Sequence, residues 1–230
     1  MTVFLFAIGV ISILGQVVLL RELHVAFYGV ELVYVLSLGI WLFWTAAGAI
    51  AGRKNLSPTP ESVAWLLGAF ALMLPLDVAW IRVSRVLLGD IPGAYLSFSR
   101  QMLVAMASLL PAGFLSGFLF QRAAKLFIGQ NRTLASAYAV ESGGGLIGGL
   151  CSTLLILCHV SNFATALLCS FLAAITVFIA PPSGQKSFLR GASFLLMMIL
   201  GILLAGAGSL DDAMTRWNHP HLLESIDSPY

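Results

Sequence analysis

Long apolar runs recur along the chain and are separated by short polar or Pro-rich breaks. A helix that crosses a hydrocarbon core of roughly 30 Å needs about 20 predominantly apolar residues. Strands of a membrane barrel would be about 10 residues long with strict alternation, which the runs lack. The pattern predicts about seven transmembrane helices. Six or eight are alternatives, because the apolar sequence is almost uninterrupted over residues 134–180. The predicted spans are residues 3–20, 31–52, 62–82, 101–120, 134–157, 160–180 and 189–208.

Composition supports an all-α integral membrane protein. Of the 230 residues, 59% are hydrophobic and 10% are charged, and the mean hydropathy is +0.96. Soluble domains carry about 25% charged residues. The net charge of +2 is too small for a nucleic-acid partner. We expect a transmembrane domain over residues 1–210, embedded in the lipid bilayer, and a polar tail over residues 211–230.

The loop charges indicate an orientation, because cytoplasmic loops are enriched in Lys and Arg. With seven spans, seven such residues fall on the side of the N-terminus: Arg53, Lys54, Arg122, Lys125, Arg132, Lys186 and Arg190. Five fall on the opposite side: Arg21, Arg82, Arg85, Arg100 and Arg216. The count favours an N-terminus in the cytoplasm and a C-terminus outside it.

Glycines recur four residues apart inside three of the runs. Such spacing lets helices approach closely in lipid, and a sliding surface of a transporter is the alternative interpretation. Gly143, Gly145 and Gly148 also match the spacing of a dinucleotide-binding motif. That motif needs a preceding strand, so we predict helix packing and no cofactor. The candidate packing glycines are Gly48, Gly52, Gly113, Gly117, Gly144 and Gly148.

Several ionisable or polar residues lie within or beside the apolar runs, where a charge costs about 2.5–3.5 kcal/mol. Neighbouring residues on one helix cannot face each other, so Arg21 and Glu22 need at least one partner on another helix. Glu141 lies deepest in its predicted span. The full set of substrate or ion-pair candidates is Arg21, Glu22, Glu31, Asp77, Tyr138 and Glu141.

Three interpretations of these residues remain open. Arg21 could pair with a carboxylate of another helix and hold the bundle together. The carboxylates could instead line a site for a cation, a proton or a polyamine, or they could reach the interface without a role. No metal site is predicted, because the three cysteines lie in apolar runs and His219 and His221 supply too few ligands for zinc.

One family resemblance is more specific than composition. The segments 15–22 (GQVVLLRE), 27–32 (FYGVEL), 41–48 (WLFWTAAG) and 138–143 (YAVESG) resemble the N-terminal multi-helix membrane domain of membrane-bound spermidine synthase-like proteins. That domain is sometimes described as major-facilitator-like. The family pattern has Gly-Asn-Glu-Leu where this chain has Gly-Val-Glu-Leu, so the Asn is replaced by Val30.

The tail adds to the resemblance. Residues 222–230 (LLESIDSPY) resemble the opening strand of the synthase domain, whereas the nucleotide-binding segment and the catalytic aspartate of aminopropyltransferases have no counterpart. The resemblance implies a bacterial inner-membrane anchor or scaffold for a fused or separate soluble synthase-like domain, without catalytic residues of its own. The alternative is a transporter-like module that binds polyamines or other cations. A synthase uses a cytoplasmic donor, whereas the charge count places the C-terminus outside the cytoplasm, so these two expectations conflict. The glycine faces are also compatible with a homo-oligomer.

Overall fold

The computed structural model describes residues 1–29, 31–54, 58–87, 97–182 and 186–218, and all regular structure in them is α-helical. The first seven helices are long and apolar enough to cross a membrane. The all-helical class is therefore confirmed for the described residues, and the seven long apolar helices agree with the predicted number of spans. The helices are α1 (Thr2–Ala26), α2 (Glu31–Gly52), α3 (Pro60–Leu87), α4 (Phe98–Ile128), α5 (Leu134–Leu157), α6 (Asn162–Ile179), α7 (Lys186–Ala205) and α8 (Ala207–Asn218).

The apolar stretch 134–180 is divided into two helices by local backbone chemistry. His159 follows α5 with a φ of 55°, in the left-handed region that stops a helix. Ser161 then caps α6, because its hydroxyl accepts a hydrogen bond from the backbone N–H of Ala164 at 3.3 Å. Thr133 caps α5 in the same way through the N–H of Ser136. These signals settle the choice among six, seven and eight spans.

Several helices extend beyond their predicted spans. The helix α1 has 25 residues and α4 has 31, which at 1.5 Å per residue gives about 38 and 47 Å. Both lengths exceed the hydrocarbon thickness of roughly 30 Å. The polar residues near the ends of these helices, including Glu22 and Arg122, are therefore held on rigid helix rather than in loops. A charged residue does not end a helix, so the end of an apolar run is a poor guide to the helix end.

The helix α1 forms the centre of the bundle. It packs against each of α2 to α6, and a larger share of it is buried than of any other span. A helix that is apolar on all sides can be surrounded in this way. The helices α2 and α4 pair on one side, α5 lies against α1, and α3, α6 and α7 complete the other side.

Glycine contacts produce the two closest helix pairs. Between α2 and α4, a methyl group at Gly48 would overlap the backbone of Phe114, and one at Gly117 would overlap the backbone of Thr45. Gly52 and Gly113 lie at the same interface, against side chains of the opposite helix. The glycines of the two helices thus alternate along one interface, which brings the backbones together.

The pair of α1 and α5 is built in the same manner. Gly144 lies against the backbone of Phe6, and Gly148 lies against the backbone of Val10. Gly9, which no four-residue spacing singles out, packs in return against the backbone of Glu141. All six glycines chosen from the sequence therefore lie at a helix–helix interface, and Gly9 is a further interface glycine that pattern analysis missed.

Polar bonds add to the α2–α4 pair. Lys125 Nζ donates to the carbonyl oxygens of Gly52 at 3.2 Å and Arg53 at 2.9 Å, and so satisfies the C-terminal end of α2. Trp44 Nε1 donates to the carbonyl of Met106 at 3.0 Å. Both ends of the glycine interface are therefore fixed by hydrogen bonds.

The helix α8 crosses the predicted boundary between the transmembrane domain and the tail. The boundary was expected at residue 210, but Ala207–Asn218 form one helix. Residues 211–218 thus belong structurally to the described bundle. Residues 219–230, which contain His219, His221 and the segment that resembles a synthase strand, lie outside the described residues.

We predict opposite effects for two Gly→Ala substitutions in α2. Gly48→Ala should lower the free energy of unfolding by about 1–3 kcal/mol, the usual range for overpacking, because the methyl group meets the backbone of α4. Gly39→Ala is the matched control, because nothing lies within 4 Å of that site and alanine favours a helix by up to about 1 kcal/mol. Thermal unfolding in detergent measures both, and equal stability of the two variants would contradict the glycine interface.

Candidate functional site

Three charged side chains from three helices meet at one end of the bundle. Arg82 of α3 holds Glu22 of α1 with two hydrogen bonds, from Nε to Oε2 at 3.2 Å and from Nη2 to Oε1 at 2.7 Å. Its Nη1 donates to Oδ1 of Asp211 in α8 at 2.6 Å. The side chains of Glu22, Arg82 and Asp211 are 6%, 13% and 18% exposed. We call this group the Arg82 clamp.

The two transmembrane members of the clamp continue buried apolar faces. Leu14, Val18 and Glu22 recur at four-residue spacing along α1 and are all buried. Leu74 and Val78 are completely buried on α3, and Arg82 follows at the same spacing. Residues four apart share a helix face, so Glu22 and Arg82 are directed into the bundle by the same stripes that form its core.

The geometry of the clamp is that of a strong ion pair. A guanidinium that contacts one carboxylate through two nitrogens is both charge-assisted and fixed in direction. The remaining nitrogen reaches the second carboxylate, so one cation serves two anions. The clamp can hold helices together, but it offers no vacant carboxylate at Glu22 for a further cation.

Of the two adjacent charges on α1, Glu22 forms an ion pair with another helix. Arg21 precedes it on α1, is half-buried, and has an interaction of its own. The requirement that one of the two neighbours finds a partner on another helix is met by Glu22 with Arg82.

The clamp ties α8 to the bundle. Ala207 is buried and Met214 packs against the apolar core, whereas Trp217 is 64% exposed. Asp211 lies between Ala207 and Met214 along the helix and points to Arg82. The docked side of α8 contacts α3, α6 and α7, and its remaining surface has the mixed apolar and polar character of a helix at a membrane interface.

Asp77 is the most deeply buried carboxylate outside the clamp. It is 6% exposed and lies in α3 two residues after Pro75. The backbone of Ala112, which follows Pro111 in α4, hydrogen-bonds the carboxyl group. Its Oδ2 has no hydrogen-bond partner among the described residues. Asp77, rather than the predicted Glu141, is thus the more enclosed of the two side chains.

The remaining candidates are dispersed. Glu141 is half-buried on α5 with a hydrogen bond to Ser142, and the ring of Tyr138 lies 4.9 Å from that of Phe120. Glu31 is exposed at the first turn of α2. The structure does not gather these residues into one cluster.

Helix geometry gives the separation along the bundle. The backbone of Glu141 lies against Gly9, thirteen residues before Glu22 on α1, which corresponds to about 20 Å of helix rise. Asp77 precedes Arg82 by five residues, or about 7.5 Å of rise. The three carboxylates therefore lie at three different depths, and no group of three His, Cys, Asp or Glu that could hold a metal occurs in the part of the chain that the structure describes.

Sequence reasoning missed two members of the clamp. Arg82 was counted among the loop charges and Asp211 was placed in a tail. For Arg82 the signal was present, because it continues the Leu74 and Val78 stripe by one turn. For Asp211 no comparable apolar pattern precedes it, and its role depends on how α8 folds back onto α3.

No family model, no curated protein and no solved structure matches this chain.

Proposed function

We propose that this protein is a membrane anchor whose seven-helix bundle holds α8 against one end as the attachment point for a further domain or partner. The observation that carries the proposal is the Arg82 clamp. It joins the central helix α1, the span α3 and the terminal helix α8 through one guanidinium. A segment fixed in this way has a defined position relative to the membrane, which is what an attached domain or partner needs.

The energetics favour a structural role for these charges. Removing one member of a buried ion network leaves an uncompensated charge and costs about 3–5 kcal/mol. In the clamp each carboxylate has a hydrogen-bonded partner, so neither is available to bind a substrate without first releasing Arg82. A scaffold requires this permanence, whereas a transport site must be able to exchange its ligand.

The partner that we propose for the anchor is an aminopropyltransferase-like domain, fused or separate, at a bacterial inner membrane. The proposal rests on the resemblance of segments within residues 15–48, of residues 138–143 and of residues 222–230 to membrane-bound spermidine synthase-like proteins. The residues that would transfer an aminopropyl group belong to that partner, and the bundle supplies its attachment.

A second candidate function is a cation-binding module, and Asp77 favours it. Its carboxyl group is buried and one oxygen has no hydrogen-bond partner among the described residues. Intramembrane carboxylates of this kind mark ion and proton sites in many membrane proteins. Of the carboxylates proposed for polyamine binding, Glu22 is held by Arg82 and Glu141 lies on the far side of α1, so Asp77 carries this alternative.

Docking of α8 can be measured with a spin label at its exposed end. We expect a label at Trp217→Cys to be restrained in the native chain and about tenfold more often mobile in Asp211→Ala, since a hydrogen bond to a charged group contributes about 1.5–3 kcal/mol. Asp212→Ala is the matched control, because Asp212 is exposed on the same helix. The label requires prior replacement of the native thiols, Cys151, Cys158 and Cys169. Equal mobility in the two alanine variants would contradict docking through the clamp.

The proposed partner domain can be tested on the native gene product. A fused domain gives an intact mass well above the 24.6 kDa of this chain, and a separate domain co-purifies with a product of 24.6 kDa. A gene product of 24.6 kDa that co-purifies with no soluble protein would contradict the partner assignment, while the docking of α8 would be unaffected.

A further inference from the structure

Two helices that pack against each other, α3 and α4, each bury a polar atom that lacks a hydrogen-bond partner within the described ranges. These atoms are Asp77 Oδ2 and Ser108 Oγ, and both are buried. Buried polar atoms are nearly always paired, so each such atom needs an explanation. A bound cation would supply a partner for both.

Helix geometry places the two atoms on facing surfaces. The backbone of Ala112 bonds the Asp77 carboxyl group, which fixes where α3 meets α4. Ser108 precedes Ala112 by four residues and shares its side of α4; it is completely buried there. The Ser108 hydroxyl therefore lies about one helical turn, roughly 6 Å of rise, from the point where Asp77 meets α4.

Both helices contain a proline at this level. Pro75 lies two residues before Asp77, and Pro111 directly precedes Ala112. A proline removes one backbone donor from the helix and loosens the preceding turn, although α3 and α4 both continue through it. Asp77 thus meets α4 where each helix lacks one backbone hydrogen bond.

The charge of Asp77 has no counter-ion close to it in sequence or across the neighbouring spans. Residues 2–20 of α1, 101–121 of α4 and 162–179 of α6 contain no Asp, Glu, Lys or Arg, and Cys169 is their only His, Cys or Tyr. On α3 itself, Arg82 is engaged by Glu22, and by Asp211 of α8. The other charged residues on the described elements that pack against α3 lie outside these three ranges: Arg21 of α1, Arg100, Arg122 and Lys125 of α4, and Asp212 and Arg216 of α8.

We propose that Asp77 and Ser108 form a binding site for one small monovalent cation, a proton or Na⁺, between α3 and α4. A single carboxylate matches a single positive charge, and carboxylate and hydroxyl oxygens are hard donors that suit either ion. A polyamine carries several charges and would need carboxylates spaced along its length, which this contact does not provide. This site rests on the second candidate function, a cation-binding module, and limits its ligand to one small monovalent ion. It does not depend on the proposed anchor function.

The test measures thermal unfolding of the full chain in detergent at constant ionic strength. One arm replaces choline chloride with NaCl at alkaline pH, and the other lowers the pH without Na⁺. A ligand that binds only the folded state raises the Tm, so we expect the Tm to rise by about 5 °C in one of the two arms. The responding arm identifies the ion.

Variants separate this site from other titrating groups. Asp77→Asn removes the charge and should abolish the response, whereas Asp212→Asn, the same change at an exposed site, should retain it. Ser108→Ala should shift the midpoint to about tenfold higher cation concentration, and it tests the site even if Asp77→Asn fails to fold. A wild-type chain that responds to neither ion, or a response that persists in Asp77→Asn, would overturn the inference.

Spermidine distinguishes the proposed site for one small cation from the broader cation-binding function, which includes polyamines. Added in place of Na⁺, it should leave the Tm unchanged. A Tm increase with spermidine that is lost in Asp77→Asn, without a response to Na⁺ or pH, would overturn the small-cation site and support polyamine binding instead.

Discussion

Arg82 continues the buried face of α3 into the bundle. Since an unpaired charge within an apolar bundle is costly, its positive charge needs an anion from a neighbouring helix. The chain meets this requirement with Glu22 from the central helix and Asp211 from the last helix. The position of α8 is a consequence of that neutralisation, since its polar N-terminal half meets α3 through Asp211.

The glycine interfaces solve a different problem. Apolar side chains gain little from leaving lipid for another helix, so association depends on close packing. Gly9, Gly144 and Gly148 bring α5 against α1, and Gly48 and Gly117 bring α4 against α2. With backbone contacts at both interfaces, α1 can contact five other helices while its own surface remains almost wholly apolar. The polar groups are then free to be concentrated at the clamp and at Asp77.

Much of the fold could be predicted from sequence, because hydropathy over about 20 residues and glycine spacing are local properties. The seven spans and the glycines of the two interfaces follow from them. The partners of the charges could not be predicted in this way. Glu22 needs a cation from another helix, and the rotation of α1 relative to α3 decides that this cation is Arg82. Asp211 lies 129 residues from Arg82, and no local pattern connects them. The burial of Asp77 likewise depends on the contact between α3 and α4.

The energetic coupling between Glu22 and Arg82 shows directly whether the Arg82 clamp holds the bundle together. The free energy of unfolding would be measured for Arg82→Leu, Glu22→Leu and the double variant. We expect Arg82→Leu to lower the free energy of unfolding by about 3–5 kcal/mol, because two carboxylates become unpaired. Adding Glu22→Leu should restore part of this loss, because it removes one of the two carboxylates. If the effects of the two single substitutions simply add, as expected for independent sites, Glu22 and Arg82 are not coupled and the clamp does not hold the helices together.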